Sequence, residues 1–337
     1  MKKLRIAAFV ASLAASLLVA SVASAEQKEL RIAKQYGLGY LQMMVLEDQK
    51  LVEKHAKAAG LGDVVITWMT FRSSDVMNDA IISGNVDFVS LGVPGLAVIW
   101  SKTQGTANPV KAASGMNLLP LALMTRNPNV KSLKDFGQKD KIAVPAIKVS
   151  VQAILLQMAA AKEFGVANYN KLDPITVSMT HPDALAALLS PASEITAHFT
   201  SQPFIAMEAA KPGIRRLMSS TEILGGPVSF NVLATSTKFH TGSPKLYKAF
   251  MTAFAEATEW INVNKRSAAQ LYLRVSKDKS SLEDVLKIVE AEDTSYTMEP
   301  KGLMPVVEFM KKTGTIKASP ASWKDMFFSD AHAMSGS

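Results

Sequence analysis

The chain of 337 residues contains no cysteine, only five histidines and few aromatic residues, 7% in all. Without cysteine there are no disulfides, no thiolate metal sites, no cysteine nucleophile and no site for a lipid-modified cysteine. No H-E-x-x-H spacing, P-loop or Gly-x-Ser-x-Gly elbow occurs, so the common hydrolase and nucleotide-binding signatures are missing. Beyond Ala20 no apolar run approaches the ~20 residues that a membrane-spanning helix needs. Basic blocks interleaved with aromatics are missing too. Lysines and acids alternate instead, as in Lys50 to Lys57 and Lys277 to Lys287, so the pattern gives no support to nucleic-acid binding.

What is present begins with a leader. Lys2, Lys3 and Arg5 form a basic start, Ile6 to Ala20 is apolar apart from two serines, and Ala23-Ser24-Ala25 has the small-residue pattern of a cleavage site. The expectation is cleavage after Ala25 and an exported, periplasmic product that starts at Glu26; the alternative is an uncleaved N-terminal helix. The mature chain would hold about 312 residues, enough for two lobes of ordinary size. The formal charge of +8 includes the three leader cations, and the remainder reads as a solvated surface of mixed sign.

Short apolar runs alternate with helix-length amphipathic segments, which predicts an α/β fold. Strands are expected at Leu30 to Ala33, Val64 to Met69, Asp87 to Ser90, Val110 to Ser114, Leu121 to Thr125, Lys141 to Val144, Ile175 to Ser178, Ile195 to Phe199, Arg216 to Met218 and Val228 to Ala234. One helix is expected over Tyr40 to Ala59, ended by Gly60, and another is capped by Ser73 or Ser74. A long helix should follow Ser150. From Ser243 onward the pattern is helical. Gly115-Met116-Asn117 with Pro120, and Gly225-Gly226-Pro227, mark two places where the chain should cross between lobes.

With the strand and Gly-rich turn Ile32 to Gly39, the stretch Trp68-Met69-Thr70-Phe71, and Asp79 to Ile82, the chain resembles a known family. Ser83-Gly84-Asn85-Val86-Asp87-Phe88 before Gly92-Val93-Pro94, and Ser132-Leu133-Lys134-Asp135-Phe136 before Lys141 to Pro145, extend the likeness. The family is that of the periplasmic substrate-binding proteins of nitrate/sulfonate/taurine ABC importers, and the likeness covers most of the mature chain. The chain departs from the family's pattern at Glu194 to Thr200.

The resemblance implies two Rossmann-like lobes joined by two crossovers, the type II periplasmic binding protein architecture, with a helical C-terminal segment. Lobe 1 would take residues 26–114 and 230–337, and lobe 2 residues 115–229. It further implies a monomeric receptor, not an enzyme and without a cofactor, that captures a small, anionic solute by lobe closure and delivers it to an ABC permease. Alternatives are a binder of a thiamine-precursor pyrimidine, a sensor subunit, and, disfavoured by the missing cysteine, an enzyme of the thiamine-pyrimidine synthase type.

A cleft ligand meets strand ends and helix starts, where unpaired backbone N–H groups point outward. That singles out Tyr36 and Gly37 after the first strand; Ser90, Gly92 and Val93 after the third; Lys148 and Ser150; and Phe199, Thr200 and Gln202. Ser114, Asn117, Phe230 and Asn231 come from the crossovers. Lys148 is the full positive charge in these loops, and reads either as a counter-charge for an anion or as a solvated loop lysine. Tyr36, Trp68, Phe199 and Phe230 could pack on an apolar or aromatic ligand body; for Trp68 and Phe230 the core is the stronger reading. Asn117 and Asn231 either orient a polar group or cap turns. His181, before Pro182, marks a helix start. Together with His198 it lacks metal-ligand spacing, so the expectation is a structural or ligand-bonding histidine and no metal.

Overall fold

The computed structural model describes residues 26–337; the leader and its cleavage site lie outside the described residues. Among the described residues, eleven strands form two sheets. The first strands are β1 (Glu29–Lys34), β2 (Val65–Thr70), β3 (Phe88–Gly92) and β4 (Val110–Leu118). Then come β5 (Leu121–Thr125), β6 (Ile142–Val144), β7 (Thr176–Ser178), β8 (Ala197–Ser201) and β9 (Arg215–Ser219), and last β10 (Ser229–Ser236) and β11 (Ser295–Tyr296). The first sheet runs β11-β4-β10-β3-β1-β2 and the second β7-β6-β8-β5-β9. Strands joined by helical crossovers pair in parallel, as β1 does with β2 and β3, and β6 with β7 and β8. Each sheet also holds antiparallel neighbours: β10 lies between β3 and β4, and β5 between β8 and β9.

The chain passes from the first sheet to the second at Leu119-Pro120 and returns between Leu224 and Ser229. The first passage falls later than Gly115 suggested, because β4 continues through Ser114 to Leu118 as one bulged strand. Gly115 is there for close approach. Its N–H donates to Met298 O at 2.8 Å, and a Cβ would meet Glu299 O at 2.8 Å. At the return, Gly225 takes a left-handed φ of 79° that stops the short helix Ser220–Leu224.

The expected single helix from Tyr40 to Ala59 is two helices, Leu41–Asp48 and Leu51–Ala58, after a 3-10 turn at Leu38–Tyr40. Lys50 at φ 52° breaks them apart. The break lets Leu51, Val52 and Ala56 join the core built on Phe250, Phe254 and Ala257 of the long helix Pro244–Val263. That helix begins the C-terminal helical segment, which continues through Lys265–Ser276, Leu282–Glu290 and Met304–Lys312. The segment includes β11, which pairs with β4 at the edge of the first sheet. No described helix is long and apolar enough to cross a membrane.

Candidate functional site

Register fixes one wall of the site. Asn231 on β10 pairs with Gly92 on β3 and with Asn117 on β4, which places these residues in a row at one end of the first sheet. Asn117 Nδ2 donates to Gly39 O at 2.7 Å, and Asn231 Nδ2 to the same oxygen at 3.1 Å. Tyr40 donates its hydroxyl to Asn231 Oδ1 at 3.4 Å, and burial raises its pKa. Two amides and a phenol therefore hold the turn after β1 against the sheet. Gly39 has to be glycine, since a Cβ there would meet the Phe230 ring at 2.7 Å.

The opposite wall comes from the second lobe. Ser150 caps the helix Val151–Phe164, accepting from Ala153 N at 3.2 Å and donating to Ala146 O at 2.8 Å. Gln152, on the same turn, lies 3.2 Å from His181 Nε2. His181 opens the helix His181–Leu189, one residue earlier than Pro182; Thr180 caps it and the proline sits in its first turn. The walls meet closely. Leu38 N donates to Gln202 O at 3.0 Å between the lobes, and a Cβ on Gly92 would stand 2.1 Å from Val151 Cγ2.

Between the walls is an inner cavity of about 10 Å3, room for roughly one water molecule. Its lining includes Gln35, Ser74, Gly92, Ser150, Gln152, His181, Phe230 and Asn231. Among the described residues, no Lys, Arg, Asp or Glu lines it. Four helices of at least nine residues start here, at Ser74, Val93, Val151 and His181. Their N-termini supply partial positive charge to a space whose walls are neutral. A wider groove of about 490 Å3 lies outside it, lined by Tyr36, Gly37, Phe204, Met207 and Tyr272, with Gln35 shared between the two.

Of the residues singled out from sequence, Gly92, Ser150, Phe230 and Asn231 line the inner cavity, and Tyr36 and Gly37 the outer groove. Val93 is the first residue of its helix and buried. Asn117 and Gln202 sit behind the wall, each with a buried side-chain oxygen that has no partner. Ser114 likewise leaves its buried Oγ unpartnered, and Ser90 spends its hydroxyl on Ala33 O at 2.7 Å. Phe199 is fully buried in the main core. Side chains alternate along β8, so when His198 and Thr200 face the His181 helix, Phe199 must face away. Lys148 is exposed, at φ 66°, and is not among the cavity-lining residues. Its charge acts on Asp173, whose pKa is raised by burial and drawn back by Gln157 and Lys148. Trp68 is packed against the core, 5.4 Å from Lys34 Nζ, and Lys34 pairs with Glu47.

Sequence reasoning missed what stands behind His181. His181 Nδ1 lies 2.9 Å from His198 Nε2, and His198 Nδ1 lies 2.6 Å from Glu208 Oε1. The side chains of His198 and Glu208 are fully inaccessible to solvent. Burial holds His198 down to about 3 and pushes Glu208 up to about 9. His181 is also held well below its ordinary value, by burial first and by His198 second. Burial therefore opposes charge on both partners of the His198–Glu208 contact. No cluster of three potential metal ligands occurs among the described residues.

The model of the NMT1-like family matches residues 6–275 of the chain. Solved structures with the same fold include the alkanesulfonate-binding protein SsuA of Xanthomonas axonopodis bound to MOPS. That protein is 16% identical with a TM-score of 0.65, the match covering 86% of this chain and 92% of that one. The periplasmic nitrate-binding protein NrtA of Synechocystis is 13% identical, with a TM-score of 0.64 and coverage of 89% and 84%. A protein of Bordetella bronchiseptica is 17% identical, with a TM-score of 0.72 and coverage of 90% and 96%. No curated protein matches the chain.

Proposed function

The chain belongs to the NMT1-like family, and we propose that it is the periplasmic solute receptor of an ABC importer, binding a small anion without changing it chemically. The observation that carries this reading is the convergence of four helix N-termini from both lobes on one cavity with uncharged walls. Helix N-termini attract negative charge by about 0.3–1 kcal/mol each at exposed positions and more when partly buried. Amide, hydroxyl and imidazole donors then hold oxygen atoms without a counter-ion. Nitrate, a sulfonate or a carboxylate head group has the required compact array of acceptors, and the outer groove has space for a tail.

Capture follows from contacts with both walls. A solute that touches Asn231 and Gly92 on one side and Ser150 and His181 on the other favours the closed lobes over the open ones. Moving such an equilibrium from 1:99 to 99:1 needs about 5.5 kcal/mol of differential affinity. The closed surface would then dock on the permease.

The neutral wall favours one other reading, an uncharged heterocycle such as a thiamine-precursor pyrimidine, whose ring nitrogens would meet the Gln152 and Asn231 amides. A thermal-shift screen with nitrate, methanesulfonate, acetate and an aminopyrimidine separates the two. At a ligand concentration 100 times its Kd the folded state gains about 2.7 kcal/mol, a rise of several degrees in Tm. Stabilisation by an anion supports the proposal; stabilisation by the pyrimidine alone replaces it with the second reading.

A further inference from the structure

Glu208, His198 and His181 form a row that runs from the interior of the second lobe to the inner cavity. Both ring nitrogens of each histidine are engaged. His198 bridges Glu208 Oε1 at 2.6 Å and His181 Nδ1 at 2.9 Å, and His181 Nε2 faces Gln152 at 3.2 Å. A neutral imidazole carries one N–H, so hydrogen-bond direction cannot reverse partway along such a row. Either every donor points toward the cavity or every donor points away.

The choice is made at Glu208. Its Oε2 is buried and has no partner. A carboxylate there would keep its charge against a single hydrogen bond, whereas a carboxylic acid donates its proton and leaves only a neutral carbonyl unpaired. Apart from His198, no cation among the described residues pairs with Glu208. On β9, Arg215 donates to the carbonyls of Asn127 and Val130, and Arg216 pairs with Glu222. β5 and the short helix Phe204–Ala209 bring no other titratable residue, and Asp183 on the His181 helix takes its hydrogen bond from Thr180. Burial accordingly pushes the Glu208 carboxyl up to about 9.

We propose that Glu208, acting through His198, fixes His181 as a hydrogen-bond donor into the inner cavity, so that the site selects solutes presenting an acceptor atom there. The inference rests on the reading of this cavity as the ligand site. Glu208 donates to His198 Nδ1, His198 Nε2–H donates to His181 Nδ1, and His181 Nε2–H points at the ligand. Gln152 presents its amide nitrogen to His181 Nε2 at 3.2 Å, and a half-turn of the amide puts its carbonyl oxygen there to accept that proton until a ligand takes the place. Thr200 Oγ1, 3.3 Å from His181 Nδ1, can donate or accept and leaves the choice unbiased. Phe204 stacks on His181 at 5.3 Å between centroids and holds the ring plane. Glu208 and His198 are positioning residues; His181 is the one that reads the ligand. An ammonium group at this spot would face an N–H and be refused. When Glu208 ionises at alkaline pH, the row must reverse and His181 Nε2 becomes an acceptor.

Long-range 1H–15N spectra of the histidine rings in the ligand-free protein test this directly. Near neutral pH both His181 and His198 are expected as Nε2–H tautomers. They should convert together to Nδ1–H on the alkaline side, and Glu208→Gln, which cannot titrate, should abolish that conversion. Nδ1–H tautomers at neutral pH, or the same alkaline conversion in Glu208→Gln, would overturn the proposal. The wild-type spectra decide the polarity even if the variant folds poorly. With nitrate and methanesulfonate as probes, wild-type affinity should drop about tenfold, one hydrogen bond's worth, across the alkaline conversion and stay level in Glu208→Gln. If neither probe binds at any pH while the tautomers are as stated, the row stands and the anion reading fails.

Discussion

The two walls of the cavity are built on different principles. The first-lobe wall is tied to its own backbone: Asn117 and Asn231 both donate to Gly39 O, and Ser90 to Ala33 O. The second-lobe wall ends in groups that titrate, with His181 backed by His198 and Glu208. The first wall therefore sets shape, and the second sets polarity. A binding site divided in this way can keep one lobe rigid while a single proton in the other decides what the ligand must offer.

The largest expected effect comes from keeping the walls apart. Gly92 has φ −69° and ψ 158°, a backbone any residue adopts, so its only steric conflict is with Val151 of the other lobe. Gly92→Ala should leave the Tm of the ligand-free protein nearly unchanged while lowering ligand affinity on the order of 100-fold, because closure is obstructed. Isothermal titration together with small-angle scattering would check this, and unchanged affinity would mean that binding does not need the closed contact.

Breaking the shape-setting wall comes next. Asn231→Ala removes two buried hydrogen bonds and should lower stability by about 1–3 kcal/mol. Ser150→Ala on the other wall removes a helix cap, about 1 kcal/mol, together with the hydroxyl's local bond to Ala146 O. Denaturant unfolding that ranked Ser150→Ala as the more damaging would erase the distinction between a welded wall and an adjustable one.

The polarity-setting wall has its own signature in pH. In the unfolded chain Glu208 ionises near its ordinary 4.5, but in the folded protein it keeps its proton up to about 9. Its contribution to stability is thus fully present below the lower value and is lost as pH rises toward the upper one. His198, held down to about 3 from 6.5, acts in the other direction and loses stability as pH falls. Glu208→Gln should therefore gain Tm relative to wild type progressively from pH 4.5 to about 9, with no divergence below that window. A difference in Tm independent of pH would show that Glu208 ionises as an ordinary carboxyl.

The smallest effect is expected at Lys148. Exposed and outside the cavity lining, it acts on a bound anion only through solvent. Lys148→Ala should change anion affinity less than about twofold at physiological salt. A tenfold loss would restore the counter-charge reading of this lysine.

The alternation of strand and helix signals was enough to predict the α/β class, the two passages between lobes and the helical C-terminal segment, because these depend on local periodicity and on breakers such as Pro120 and Gly225. The positions of Gly92, Ser150 and Asn231 beside the cavity were also legible, since strand ends and helix caps carry local marks. Phe199 and Lys148 were not: membership in a loop or strand end does not say which face a side chain takes. The sequence drew attention to His181 and His198, but neither their contact nor Glu208 left a trace in it. The members of the row are separated by 10 and 17 residues on a helix, a strand and another helix. Only the packing of those elements brings the groups within hydrogen-bond reach and takes them out of water. Local pattern in the sequence accounts for the order of the elements and for the backbone ends that face a cleft, though not for the break at Lys50. The tertiary structure alone decided the protonation and polarity of the site, because both depend on burial and on partners distant along the chain.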